Sequence, residues 1–61
     1  MEEYVGYKFN HPDGGNYIIV GFRLENDDYI LDIVRQDIVL NDPKRTISWK
    51  QFKNEVKNIW R

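Results

Sequence analysis

The sequence predicts an α+β domain: a small antiparallel sheet of three or four strands in meander order, followed by one C-terminal amphipathic helix packed on one face. Three observations predict it. Apolar residues alternate with period two over the first 35 positions, and clusters of turn-forming residues break that alternation. The last fourteen residues, Ser48 to Arg61, change to a helical period. The chain has 61 residues, which allows one domain (residues 1–61) and no more.

The first strand is expected over residues 4–9, with Val5, Tyr7 and Phe9 on one side and Tyr4, Gly6 and Lys8 on the other. Gly6 inside it suggests a bulge or a close backbone approach. The segment Asn10 to Gly15 (NHPDGG) is the strongest turn signal, since Pro12-Asp13 suits the start of a turn and Gly14-Gly15 permits positive φ. It predicts a hairpin with a long loop leading to a second strand over residues 16–25. There Ile18, Val20, Phe22 and Leu24 are expected on one face and Tyr17, Ile19, Gly21 and Arg23 on the other. With apolar residues on both faces, this reads as a central strand.

Asn26-Asp27-Asp28 predicts a tight polar turn. The third strand follows over residues 29–35, with Leu31 and Ile33 inward and Asp32 outward. Residues 38–40 read either as a short fourth strand or as the third strand continued through a bulge. Asn41-Asp42-Pro43-Lys44 is a turn, because Pro43 supplies no ladder donor.

The helix is expected over residues 49–60. Ser48 is its N-cap, Gln51 completes a capping box, and Ile47 with Phe52 forms a hydrophobic staple. Trp49, Phe52, Val56, Ile59 and Trp60 fall within an arc of about 100°. Lys50, Lys53, Lys57 and Arg61 make a second stripe beside it.

A chain of this size buries only about 60% of the surface it exposes when unfolded, so small domains usually add disulfides, a metal or a second subunit. There is no Cys and only one His, which removes disulfides, thiolate ligands and a closed zinc site. What remains is a dense aromatic core of nine Phe, Trp and Tyr or a dimer, and a homodimer is expected. No aliphatic run exceeds that of Ile18-Ile19-Val20, and the start Met1-Glu2-Glu3 leads into no apolar stretch, so neither a membrane span nor a signal peptide is expected. The reading is a soluble cytoplasmic protein.

Charge is divided along the chain. Residues 1–43 carry three cations against nine carboxylates, a net of −6, whereas residues 44–61 carry six cations and Glu55, a net of +5. Catalysis is not expected. His11 sits in a turn where Asp13 can pair with it, and the lone Ser, Ser48, is explained as a cap, so no nucleophile–base–orienter set is present. Asp27, Asp28 and Asp32 lack calcium-loop spacing, and Gly14-Gly15 lies in no phosphate-binding pattern. No metal, cofactor or small-molecule substrate is expected.

Two functional readings follow. The first is a protein-interaction module, an adaptor or inhibitor of a larger protein, self-associating, with Tyr4, Tyr17, Tyr29 and Trp60 as contact residues. Its small size and its wealth of Ile, Asn, Lys, Asp and Tyr fit a phage or mobile-element origin. The second is nucleic-acid binding by the basic block Lys44, Arg45, Lys50, Lys53, Lys57 and Arg61. The acidic overall pI of about 5.7 weighs against it.

Overall fold

A computed structural model describes residues 1–36 and 44–61. The α+β class is as expected, but among the described residues the sheet has five strands, all neighbours antiparallel, in the order β4-β3-β2-β1-β5. In chain order these are β1 (Lys8–Asn10), β2 (Asn16–Glu25), β3 (Asp28–Arg35), β4 (Arg45–Ser48), then helix α1 (Trp49–Glu55), then β5 (Ile59–Trp60).

The first expected strand is only half a strand. Glu2–Tyr4 form a 3-10 turn, closed by Tyr4 N–H donating to the Met1 carbonyl at 3.0 Å. Tyr4 folds back so that its ring meets Trp49 at 5.0 Å and Phe52 at 6.3 Å between centroids. Burying one face of this ring against the helix outweighs the local strand preference, and pairing begins only at Ile19, which accepts from Gly6 N–H and donates to the Tyr7 carbonyl.

The two turns between β1, β2 and β3 form where expected. His11 N–H bonds the Gly15 carbonyl, and Gly14 takes φ +94°, a conformation that favours glycine. A Cβ at Gly15 would sit 2.9 Å from Arg35 Nε and 3.1 Å from Tyr17 Cε1, so a larger residue there would displace the Arg35 side chain. Asn26 and Asp27 both have positive φ, 48° and 64°, as a two-residue hairpin turn requires.

β2 differs from its expected facing. Ile19 pairs with Ile33 and Gly21 with Asp32, so Val20 is the extra residue of a bulge. Before the bulge, Tyr17 and Ile19 face the helix. After it, Phe22 and Leu24 do, because Phe22 stands opposite the inward Leu31. Ile18 and Val20, expected on one face with Phe22 and Leu24, lie on the other face from them. Leu31 and Ile33 are buried and Asp32 faces out, as the alternation predicted.

The expected strand at 38–40 lies outside the described residues. The fourth strand among the described residues is Arg45–Ser48. Ser48 caps the helix, its Oγ accepting from Gln51 N–H at 3.1 Å.

The helix stops at Glu55 instead of running to residue 60. Val56 is already extended (φ −86°, ψ 124°), though its N–H still bonds the Phe52 carbonyl. Geometry accounts for this. Five strands at a spacing of about 4.8 Å put the outer two about 19 Å apart. A helix of twelve residues is about 18 Å long, so it would spend the chain before any strand formed at the far edge. Extended residues rise about 3.3 Å each, so Val56 to Asn58 cross the remaining distance and leave Ile59 and Trp60 to pair with β1. The pairing satisfies β1's outer edge, including Asn10 N–H, which donates to the Asn58 carbonyl at 3.2 Å.

The core lies between sheet and helix. It comprises Phe9, Tyr17, Ile19, Leu31, Ile33, Ile47, Phe52 and Val56, with Met1, Tyr4, Tyr7 and Trp49 packed around it. Phe52 is its centre on the helix side, edge-on to Phe9 at 5.1 Å and stacked with Trp49 at 5.5 Å.

Candidate functional site

Two surface features stand out: a polar cluster at the first hairpin and the uncovered face of the sheet. The cluster comes from the loop after β1, the start of β2, and β4. Asp13 accepts at its carboxylate from Gly15 N–H (2.8 Å), the Tyr17 hydroxyl (2.9 Å) and Arg45 Nη1 (2.8 Å). Asp13 N–H donates to His11 Nδ1 at 3.1 Å. The Gly15 N–H, with Tyr17 and Arg45, holds the Asp13 carboxyl down at about 2 against a desolvation that works the other way. Burial, and then the Asp13 charge, push the Tyr17 phenol up. Every member thus has its charge or hydroxyl already engaged. The cluster fastens the loop.

The uncovered face is built by strand register. Across β5, β1, β2 and β3, Trp60, Lys8, Ile18 and Val34 stand in one row on the side away from the helix. Val20 at the bulge, and Ile30 between Arg23 and Ser48, add apolar area on the same side. Val20 is 43% exposed and Trp60 39%. Polar groups of both signs border the patch, with Arg23 Nη1 donating to Asp32 at 2.7 Å and its Nε to Glu25. Among the described residues nothing packs over this face. An antiparallel sheet with one solvated face usually alternates to polar residues there; here five large apolar side chains remain.

The expected contact residues do not converge. Tyr17 is not on the surface at all. Its exposure is 0%, because the strand's helix-facing side is the one that Tyr17 and Ile19 share. Tyr4 is half-buried in the ring cluster. Tyr29 is exposed on the helix side at the hairpin end, whereas Trp60 is exposed on the opposite face at the other edge. Ile18, Val20, Ile30 and Val34 were missed. Gly21, an isolated glycine inside a strand pattern, is the signal for the bulge that divides the facing of β2, whereas Ile30 and Val34 share the outward face of Asp32 by plain alternation.

The basic block is likewise dispersed. Lys50 and Lys53 lie on α1, but Lys57 and Arg61 follow its end, so the four do not form one helical stripe. Arg45 is engaged by Asp13 and Tyr17. Lys53 Nζ sits 5.8 Å from the Trp49 ring centre and the Arg61 guanidinium 5.2 Å from that of Tyr7, each a cation over an aromatic face. Lys44 and Lys50 are exposed.

Among the described residues no pocket opens, no three His, Asp or Glu side chains gather as metal ligands, and no helix is long and apolar enough to cross a membrane. Comparison with protein-family models, with curated proteins and with solved structures gave no match.

Proposed function

We propose that the chain is a non-enzymatic protein-interaction module that self-associates through the open face of its sheet and acts as an adaptor or inhibitor by occupying a partner's surface. The observation that carries this reading is the apolar patch on the open face, in which Val20 and Trp60 are exposed and Ile18, Ile30 and Val34 half-buried. Contiguous apolar surface of this kind marks contact sites, and two such sheets pack face to face about 10 Å apart. A small domain gains from a second subunit the burial its own core cannot supply. Lys8, Arg23 and Asp32 on the same face give charges of both signs, which suits a two-fold interface in which one patch meets its own copy.

Sedimentation over a range of protein concentrations tests the reading. The wild-type chain is expected to shift from monomer to dimer, and Val20→Lys to stay monomeric with its fold intact. A wild-type chain that stays monomeric at every concentration defeats the dimer.

A further inference from the structure

The long β2–β3 hairpin has a second unpartnered element. The outer side of β2 is paired by β1 only over residues 16–18, and Ile19 bonds Gly6 and Tyr7. From there the chain before β1 turns away into its 3-10 turn, so on that side residues 20–25 have no neighbouring strand among the described residues. In a two-residue hairpin the closing pair, here Glu25 and Asp28, exchanges both backbone bonds. Glu25 and Arg23 therefore bond across to β3, and the N–H and C=O groups of Phe22 and Leu24 point outward to the free edge.

The side chains beside that edge are sorted by face. On the helix side, beyond the helix, stand Phe22 (38% exposed), Leu24 (61%) and Tyr29 (37%), with the Phe22 and Tyr29 rings edge-on at 6.1 Å. On the other side stand Glu25, Asp28 and Asp32 with Arg23, whose guanidinium is already divided between Glu25 and Asp32. One side is apolar and the other carries a net −2.

The geometry points to this edge as a docking strand for an extended peptide of another protein, one in which apolar residues alternate with lysine or arginine. Such a peptide would add a strand through the outward backbone groups of Phe22 and Leu24. Its apolar residues fall beside Phe22 and Leu24, with Tyr29 one strand further in, and its cations fall beside Glu25, with Asp28 and Asp32 about 10 Å away on β3, within reach of a long lysine or arginine side chain. A second copy of this same edge fits less well, because it would bring two acidic hairpins together. The inference rests on the reading of the chain as an interaction module, but it uses a different surface from the open sheet face.

The probe is a synthetic heptapeptide of alternating lysine and valine, with an alternating glutamate–valine peptide as control, titrated into the isotope-labelled full chain. The expected result is saturable binding, slowed exchange of the Phe22 and Leu24 amide protons, and binding of the acidic control weaker by about tenfold or more, as like-charge juxtaposition requires. Leu24→Pro removes an outward N–H that the hairpin does not use and should abolish binding. Leu24→Lys keeps the N–H but loses the apolar contact and should weaken it. Equal binding of both peptides, or undiminished binding by both folded Leu24 variants, overturns the proposal. So does a dimer that Leu24→Pro converts to monomer, since the edge would then hold a second copy. No binding at millimolar peptide overturns it too, while the open-face reading still stands or falls on Val20→Lys.

Discussion

Arg45 donates to the Asp13 carboxylate across 32 positions of sequence, tying the first hairpin loop to the strand at one edge of the sheet. The guanidinium passes over the Tyr17 ring, 5.6 Å from its centre, and also donates to the Tyr17 hydroxyl. One cation from the basic C-terminal part of the chain thereby closes on an acid from the N-terminal part.

Asp13 carries a pH signature, set first by the Gly15 N–H bond and then by Tyr17 and Arg45. The Asp13 carboxyl lies at about 2 in the folded chain against an ordinary 3.8. A depressed carboxylate contributes stability above its unfolded value and loses it as pH falls through the folded one. Acid titration of stability should therefore fall between pH 3.8 and about 2, and Asp13→Asn should be less stable at neutral pH with a shallower fall in that window. Denaturant melts at a series of pH values check both.

Tyr17→Phe keeps the buried ring and removes only the hydroxyl between Asp13 and Arg45. Its expected cost is about 1–3 kcal/mol, the range for a hydrogen bond to a charged group. Tyr17→Ala, which also empties a core position, should cost about 3–5 kcal/mol. Chemical denaturation measures the two. Equal and negligible losses would return Tyr17 to the surface.

Phe52 touches rings from Tyr4, Phe9 and Trp49. Phe52→Ala should cost about 3–5 kcal/mol, a large part of a domain total of about 5–15 kcal/mol. The double change Lys53→Ala, Lys57→Ala alters exposed residues and should stay within about 0.5 kcal/mol of wild type. Thermal melts separate the pair.

With Arg45 engaged and Lys57 and Arg61 beyond the helix, the cations do not line one ridge. Titration of labelled single- and double-stranded DNA and RNA is expected to show no micromolar binding at about 50 mM salt. Tight binding that weakens steeply towards about 200 mM would make the phosphate backbone the partner.

Much of the architecture was legible in local chemistry. Asn26-Asp27 predicted its turn because asparagine and aspartate tolerate positive φ, and both adopt it. Ser48 predicted the helix start, and its Oγ takes the expected bond. Leu31 and Ile33 predicted an inward face because Asp32 between them had to face water. β2 was harder to read, since Tyr17 and Ile19 on one side are as apolar as Ile18 and Val20 on the other. Period two alone cannot say which set is buried.

What the sequence by itself determined, then, is where chain direction changes and which residue types can share a face: the α+β class, the two hairpin turns, the span of β2 and the start of the helix. These depend on neighbours within a few residues. The tertiary structure alone decided the fold of Tyr4 onto Trp49, the sorting of β2 about its bulge, the recruitment of Arg45–Ser48 as a strand, and the end of the helix at Glu55. Each of these exchanges a local preference for burial or backbone pairing with a distant segment, and the strength of that exchange depends on a partner that local periodicity does not contain.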